Sequence, residues 1–158
     1  MDCITLAILV SVSQVWGAAT AAPMPMKVRV KWMSEQLLVK LNKIKVSAGV
    51  TLTPPVDQLD GLSSVVALLD GYGELISDSQ YLSQVKTEIS SLKGTLTHLK
   101  QGRCAGEAKA NRTSAAGGPL QRLQGQRNFV LTVSMEALLR VKDILTRLLA
   151  KMENLDKC

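Results

Sequence analysis

The stretch LSQVKTEISSLKGTLTHL, residues 82–99, decides the fold class. Its apolar residues are Leu82, Val85, Ile89, Leu92, Leu96 and Leu99, so steps of three and four alternate without a break. That spacing gathers all six on one face of an α-helix and leaves Ser, Thr, Lys and Glu on the other. A strand would alternate with period two, and no stretch of useful length does so. Ser77 stands three residues before Gln80, which suggests a capping box where the helix begins.

Working outward, three more segments follow the same rule. MKVRVKWMSEQLLVKLNKIKV, residues 26–46, carries Val30, Met33, Leu37, Leu41 and Ile44 in step. From about Leu59 to Ile76, the stripe is Leu62, Val65, Leu69, Tyr72 and Ile76. Gly71 and Gly73 interrupt it, each costing about 1 kcal/mol against Ala inside a helix, so this helix is expected to be the weakest. The last segment repeats the pattern with Leu131, Met135, Leu138, Val141, Leu145, Leu148, Met152 and Leu155. Four amphipathic helices of unequal length, separated by turn-rich stretches, predict an intramolecular four-helix bundle rather than a coiled coil. Aromatics at 3% suit such an aliphatic core.

SAGVTLTPPVDQ, residues 47–58, joins the first helix to the second, and its Pro54-Pro55 pair forbids helix there. The second and third helices are separated by little more than Ser77-Asp78, so they run antiparallel. The third link, residues 101–128, is long and rich in Gly, Ala and Ser, with a short extra helix expected over Pro119–Gly125.

The chain opens with MDCITLAILVSVSQVWGAATAAP. Its apolar run is too short to span a bilayer, and Ala19-Thr20-Ala21 fits the small-x-small rule of signal peptidase. Residues 1–21 are therefore expected to be a removed signal, and residues 22–158 the folded domain of a secreted protein. Cys3 leaves with the signal, so Cys104 and Cys158 remain for an oxidising compartment and admit one intramolecular pairing. Two free thiols, or a bridge between molecules, are the alternatives. With the bridge, short tails beyond the third and fourth helices must meet with Cα atoms within about 7 Å. Antiparallel helices would hold those ends about 30 Å apart. The pairing therefore predicts parallel third and fourth helices, and an up-up-down-down order with two long crossovers.

The formal net charge of the whole chain is +6. Its Lys and Arg are scattered along the sequence, which reads as solvated helix faces rather than a nucleic-acid site, and aromatics for base stacking are lacking. His98 is the sole histidine, with no CxxC or carboxylate cluster beside it, so no metal site is expected. No GxSxG nucleophile turn or phosphate-cradling loop occurs, and the chain is not expected to be an enzyme or to hold a cofactor. Asn111-Arg112-Thr113 is a glycosylation acceptor, which makes Asn111 a possible glycan site.

MEALLRVKDILTRLLAKMENLDKC, residues 135–158, resembles the end of the leptin family. Ala137, Leu138, Arg140, Leu145, Leu149 and Cys158 match, Cys104 matches the cysteine after the third helix, and leptins join that pair. GVTLTP, residues 49–54, falls where leptins carry Gly-Leu-Asp-Phe-Ile-Pro. The resemblance implies a long-chain class I helical cytokine. It implies a secreted monomeric hormone that binds a leptin-type class I cytokine receptor ectodomain, signals through receptor-attached kinases of the JAK-STAT type, and acts on appetite and energy balance. It also implies two receptor faces. One uses Arg29, Trp32, Glu35 and Gln36 of the first helix with Gln84, Ser91 and Thr95 of the third. The other uses Val50, Thr51, Leu52 and Thr53 of the first crossover with Thr132 and Val133 at the start of the fourth helix. Thr51-Leu52-Thr53 departs from Asp-Phe-Ile, Thr132-Val133 from a Ser-Thr pair, and Gly94 stands at an acidic position. Such departures imply a receptor that has changed with its hormone, with loss of one binding surface as the alternative. Other readings are another helical cytokine, or an amphipathic lipid-binding protein whose helices open onto lipid rather than inserting through a membrane; the bridge and the ordinary seam widths argue against opening.

Overall fold

In the computed structural model, which describes residues 22–44, 57–104, 118–126 and 128–154, the described residues form five α-helices and one 3-10 turn, and no strand. They are α1 (Met26–Lys43), α2 (Leu62–Leu75), α3 (Gln80–Arg103), α4 (Pro119–Gly125) and α5 (Val130–Ala150), with the 3-10 turn at Met152–Asn154. The signal at 1–21, the crossover positions Val50–Thr53, Asn111 and Cys158 lie outside the described residues.

The stripe read from residues 82–99 holds without exception, since Leu82, Val85, Ile89, Leu92, Leu96 and Leu99 are all buried. So are all five stripe residues of α2. On α1, Val30, Leu37 and Leu41 are buried, while Met33 and Ile44 are partly buried against the core. Ser34 lies among them, fully covered, because its hydroxyl donates to the Val30 carbonyl at 2.8 Å and so leaves no unmet polar group. On α5, Leu138, Val141, Leu145, Leu148 and Met152 are buried as expected. Val133, Ala137 and Ile144 join them and widen the face. Leu131 does not belong to the core and is 77% exposed. Three residues further on, Ser134 accepts a hydrogen bond from the Ser77 N–H, already past the end of α2. Leu131 therefore projects beyond its neighbour and has nothing to pack against.

Helix α1 packs against α3 and α5, and so does α2, so α1 lies across the bundle from α2 and α3 across from α5. Cross-helix pairs give the directions. The Thr95 hydroxyl lies 3.6 Å from Met33 Sδ, and Lys40 pairs with Glu88, so positions rise on α1 as they fall on α3. Likewise, Asp70 pairs with Lys93 while Gly73 sits against Ile89, which makes α2 and α3 antiparallel. Ser77 meets Ser134, and Tyr72 shares a polar cluster with Arg140, so α2 and α5 are antiparallel as well.

Helix starts differ from the sequence reading in one place. The capping box expected from Ser77 to Gln80 does not form; Ser79 precedes the helix, without a side-chain cap bond. Ser77 is drawn to α5 instead. A local clasp occurs at α2, where Ser64 Oγ accepts from the N–H groups of Asp60 and Gly61 at 3.0 and 3.2 Å. Helix α4 spans the predicted Pro119–Gly125 and begins on proline, whose missing N–H costs nothing in the first turn. Its Leu120 occupies the space beside Gly71, where a Cβ would stand 2.4 Å from Leu120 Cδ2. Gly73 likewise admits Ile89 at close range. The glycines of α2 thus make room for two neighbours, which offsets their low helix propensity.

Gly94 is different, because a Cβ there would meet nothing within 4 Å. Gly94→Ala is expected to stabilise the protein by about 1 kcal/mol through helix propensity alone. A thermal or urea melt checks this, and an unchanged or lowered midpoint would contradict it.

Candidate functional site

The inner face of α1 is occupied by Val30, Ser34, Leu37 and Leu41, which turns the residues between them outward. Arg29, Trp32, Glu35 and Gln36 are all exposed. Trp32 is 56% exposed and forms an outward apolar row with Val28 and Val39 at helical spacing. On α3, Gln84 and Ser91 are exposed too. Thr95 is placed differently. It is buried between the two helices, and its hydroxyl donates to the Ser91 carbonyl at 3.1 Å and faces Met33 Sδ. Six of the seven positions on this face are therefore available to a partner, while Thr95 holds α1 against α3. The Lys40–Glu88 ion pair ties the same two helices one level further along.

At the other proposed face, Thr132 is exposed but Val133 is 3% exposed and part of the core. The expectation that Val133 offers its side chain to a partner does not fit that burial, because residues Val133, Ala137 and Val141 step inward by fours. Next to Thr132, the side chains of Phe129, Val130 and Leu131 are exposed apolar surface.

A buried polar cluster lies between α2 and α5 and was not anticipated. The Tyr72 hydroxyl donates to Asp57 Oδ2 at 2.8 Å. Arg140 Nη1 is 3.9 Å from that same carboxylate oxygen, and Arg140 Nε donates to Glu136 Oε1 at 3.2 Å. Arg147 Nη1 donates to the Asp57 carbonyl at 2.6 Å, and its Nη2 is 2.7 Å from Asp143 Oδ2. Asp57, Tyr72, Glu136 and Arg140 are all buried. Asp57 is the first described residue after the crossover, so the cluster pins the chain where it enters α2. In sequence, only the spacing of Glu136 and Arg140, four apart on one helix, hints at it.

Burial pushes the Tyr72 phenol well above its usual range, and the hydrogen bond and negative charge of Asp57 add to the rise. The Arg140 cation opposes it. The folded state therefore keeps the phenol neutral at a pH where the unfolded chain loses its proton. Stability contributed by this group is complete below the unfolded value of 10.0 and is lost as pH rises above it. Urea melts between neutral pH and pH above 10 should show a falling stability that is shallower in Tyr72→Phe. Equal slopes in the two proteins would contradict the assignment.

Among the described residues, no group of His, Cys, Asp and Glu is arranged to hold a metal ion. No described helix is long and apolar enough to cross a membrane. Cys104 caps α3, with its N–H donating to the Lys100 carbonyl at 2.7 Å.

The chain is similar to Leptin of Tetraodon nigroviridis, at 36% identity over 161 aligned residues that cover 98% of each protein. It is also 36% identical to Leptin of Takifugu rubripes over 135 residues, covering 84% of this chain and 80% of that one. No family model matches the chain. No solved structure matches it.

Proposed function

The chain belongs to the leptin family, and from that premise we propose that it is a secreted hormone that engages and activates a leptin-type class I cytokine receptor. The observation that carries this reading is likeness to leptins along nearly the whole chain, rather than over a shared motif. Residues 1–21 direct secretion and are removed, and residues 22–158 form the hormone. It acts as a monomer, by geometry and without a cofactor. Separate faces hold receptor chains so that their attached kinases meet, and the signal passes through the JAK-STAT type of relay to appetite and energy balance.

The helix order proposed is up-up-down-down. It is supported by the three antiparallel pairings, α1 with α3, α2 with α3, and α2 with α5. The companion proposal is a Cys104–Cys158 bridge. In its support, Cys104 is buried where α3 ends.

The first receptor face comprises Arg29, Trp32, Glu35, Gln36, Gln84 and Ser91, with Thr95 setting the helix spacing beneath. The second comprises Val50, Thr51, Leu52 and Thr53 with Thr132, and Val133 supports it from the core. Asn111 is proposed to carry the glycan. Trp32 is the anchor of the first face, since an exposed large aromatic on a rigid helix loses little entropy on docking. Trp32→Ala is expected to weaken receptor binding by about 2 kcal/mol or more, some thirtyfold. The melting temperature should hardly move. A large loss of stability with unchanged affinity would place Trp32 in the scaffold instead. The function itself is tested on cells that display a leptin-type receptor of a ray-finned fish and a STAT reporter. The purified protein should switch the reporter on, and silence from folded, oxidised protein would overturn the reading.

A further inference from the structure

The antiparallel pairings bring the start of α1, the end of α3 and the end of α5 to one end of the bundle. Charges that are scattered in sequence become unequal in space. At this end, α1 brings Lys27, Arg29 and Lys31, α3 brings Lys100, and the cap of α5 brings Lys151. All five are exposed or half-buried, and none shares an ion pair with a described carboxylate. Away from this end most cations are matched: Lys40 with Glu88, Lys86 with Asp78, Lys93 with Asp70 and Arg140 with Glu136, while Lys43 and Lys142 share no ion pair with a described carboxylate. The carboxylates described near the basic end are few. Asp57 is buried in the polar cluster, Asp143 is paired with Arg147, and Glu35, one turn after Lys31, is exposed, as are Asp60 and Glu153.

Part of this has a local explanation. Lys100 and Lys151 lie at helix C-termini, where a cation complements the dipole. The α1 cations have no such role. Lys27, Arg29 and Lys31 occupy the first two turns, at the positive end of the α1 dipole, and the first turn carries no acid. Lys27 and Lys31 are one turn apart on the same edge, about 6 Å along the axis. Register places Lys100 of α3 close to the level of Lys27. Like charges gathered against a helix dipole, and left unpaired, favour an external polyanion.

We propose that this basic end of the bundle is a docking face for a linear sulfated polysaccharide. Such a polymer supplies regularly spaced anions and needs no apolar insertion. Nucleic acid is less suited. Single-strand binding uses rows of aromatics for base stacking, yet Tyr81 and Phe129 begin the segments at the opposite end and only Trp32 is exposed on α1. Where the polymer is met rests on the secretion proposed above, but the binding does not, so the two can fail separately.

The test is retention of the purified protein on immobilised heparin against a plain sulfonate exchanger, each eluted with salt. Elution from heparin should need more salt than elution from the exchanger. The variant Lys27→Gln/Lys31→Gln/Lys100→Gln should lose that excess, and its affinity should depend less steeply on salt, by roughly one unit of slope per cation removed. The control Lys40→Gln/Lys43→Gln/Lys86→Gln removes equal charge from the other end and should keep the excess. Amide exchange with a heparin oligosaccharide should show protection at the start of α1 and the end of α5, a readout that does not depend on any variant folding. Equal losses in the two triple variants would reduce the effect to net charge and overturn the proposal. So would no excess on heparin, protection mapping elsewhere, or tighter binding to phosphatidylserine vesicles or duplex DNA than to heparin.

Discussion

Arg140→Met is expected to destabilise the protein by about 3–5 kcal/mol, enough to unfold much of it if its total stability is ordinary. The side chain is almost the size of the one it replaces, so little packing is lost. What is lost is the cation between two carboxylates. The side chains of Asp57 and Glu136 are only 4% and 10% exposed. Without Arg140, both lie near each other in a medium that solvates charge poorly. The Tyr72 hydroxyl still serves Asp57, but Glu136 loses its Nε donor. A urea melt should show the midpoint falling with little change in slope, the signature of lost stability without a changed unfolded state. The triple variant Asp57→Asn/Glu136→Gln/Arg140→Met removes all three charges and should regain much of the loss. A single-variant loss below about 1 kcal/mol, the range of exposed ion pairs, would mean that the cluster is effectively solvated.

Cys158→Ser is expected to cost nearly as much. Closing a loop of about 55 residues removes roughly 4 kcal/mol of unfolded-chain entropy in the loop-closure treatment, less any strain. Its consequence is specific to the end of α5. Met152 is buried in the turn that follows the helix. Freed of a covalent anchor, that turn should fray first, and amide exchange should accelerate there before it does in α2 or α3. Cys104→Ser should behave like Cys158→Ser, and the double variant like either single one, because with the proposed bridge all three remove the same bond. Cys3→Ser should leave secretion and stability as they were. Additive losses in the double variant, or peptide mapping that finds the sulfurs unjoined, would contradict the bridge.

The four amphipathic segments were legible because burial follows period. The residues at which a helix faces its neighbours recur every three or four positions, and α3 shows this at six consecutive sites. Period does not say how far a neighbour extends. Leu131 fits the stripe of α5 yet is exposed, because α2 stops before reaching its level. Nor does it show that a polar residue is inside. Ser34 is buried because it satisfies itself on its own helix. Glu136 and Arg140 are buried because the chain returning from the first crossover brings Asp57 against them, a contact between residues some eighty apart in sequence. The outward residues of α1 follow from the same period as the core. Arg29, Trp32, Glu35 and Gln36 fall between the core positions, so the period that buries one set exposes the other. Thr95 and Val133 show the limit, since each was placed by likeness to a family and each lies on the inward edge of its helix.

The pairing of Ser77 with Ser134 illustrates how tertiary contact overrides a local signal. Ser77 sits at a spacing suited to a capping box, but its backbone N–H is already committed to α5. The glycines of α2 teach a related lesson. Propensity marks Gly71 as a weakness, whereas Leu120 needs the space.

The most direct measurement of the hormone reading is calorimetric titration of the oxidised protein into the isolated ectodomain of a leptin-type receptor from a ray-finned fish. Saturable binding is predicted, weakened by Trp32→Ala and unaffected by Gly94→Ala. Folded protein that gives no saturable heat with that ectodomain, alongside a leptin from the same species that does, would contradict it.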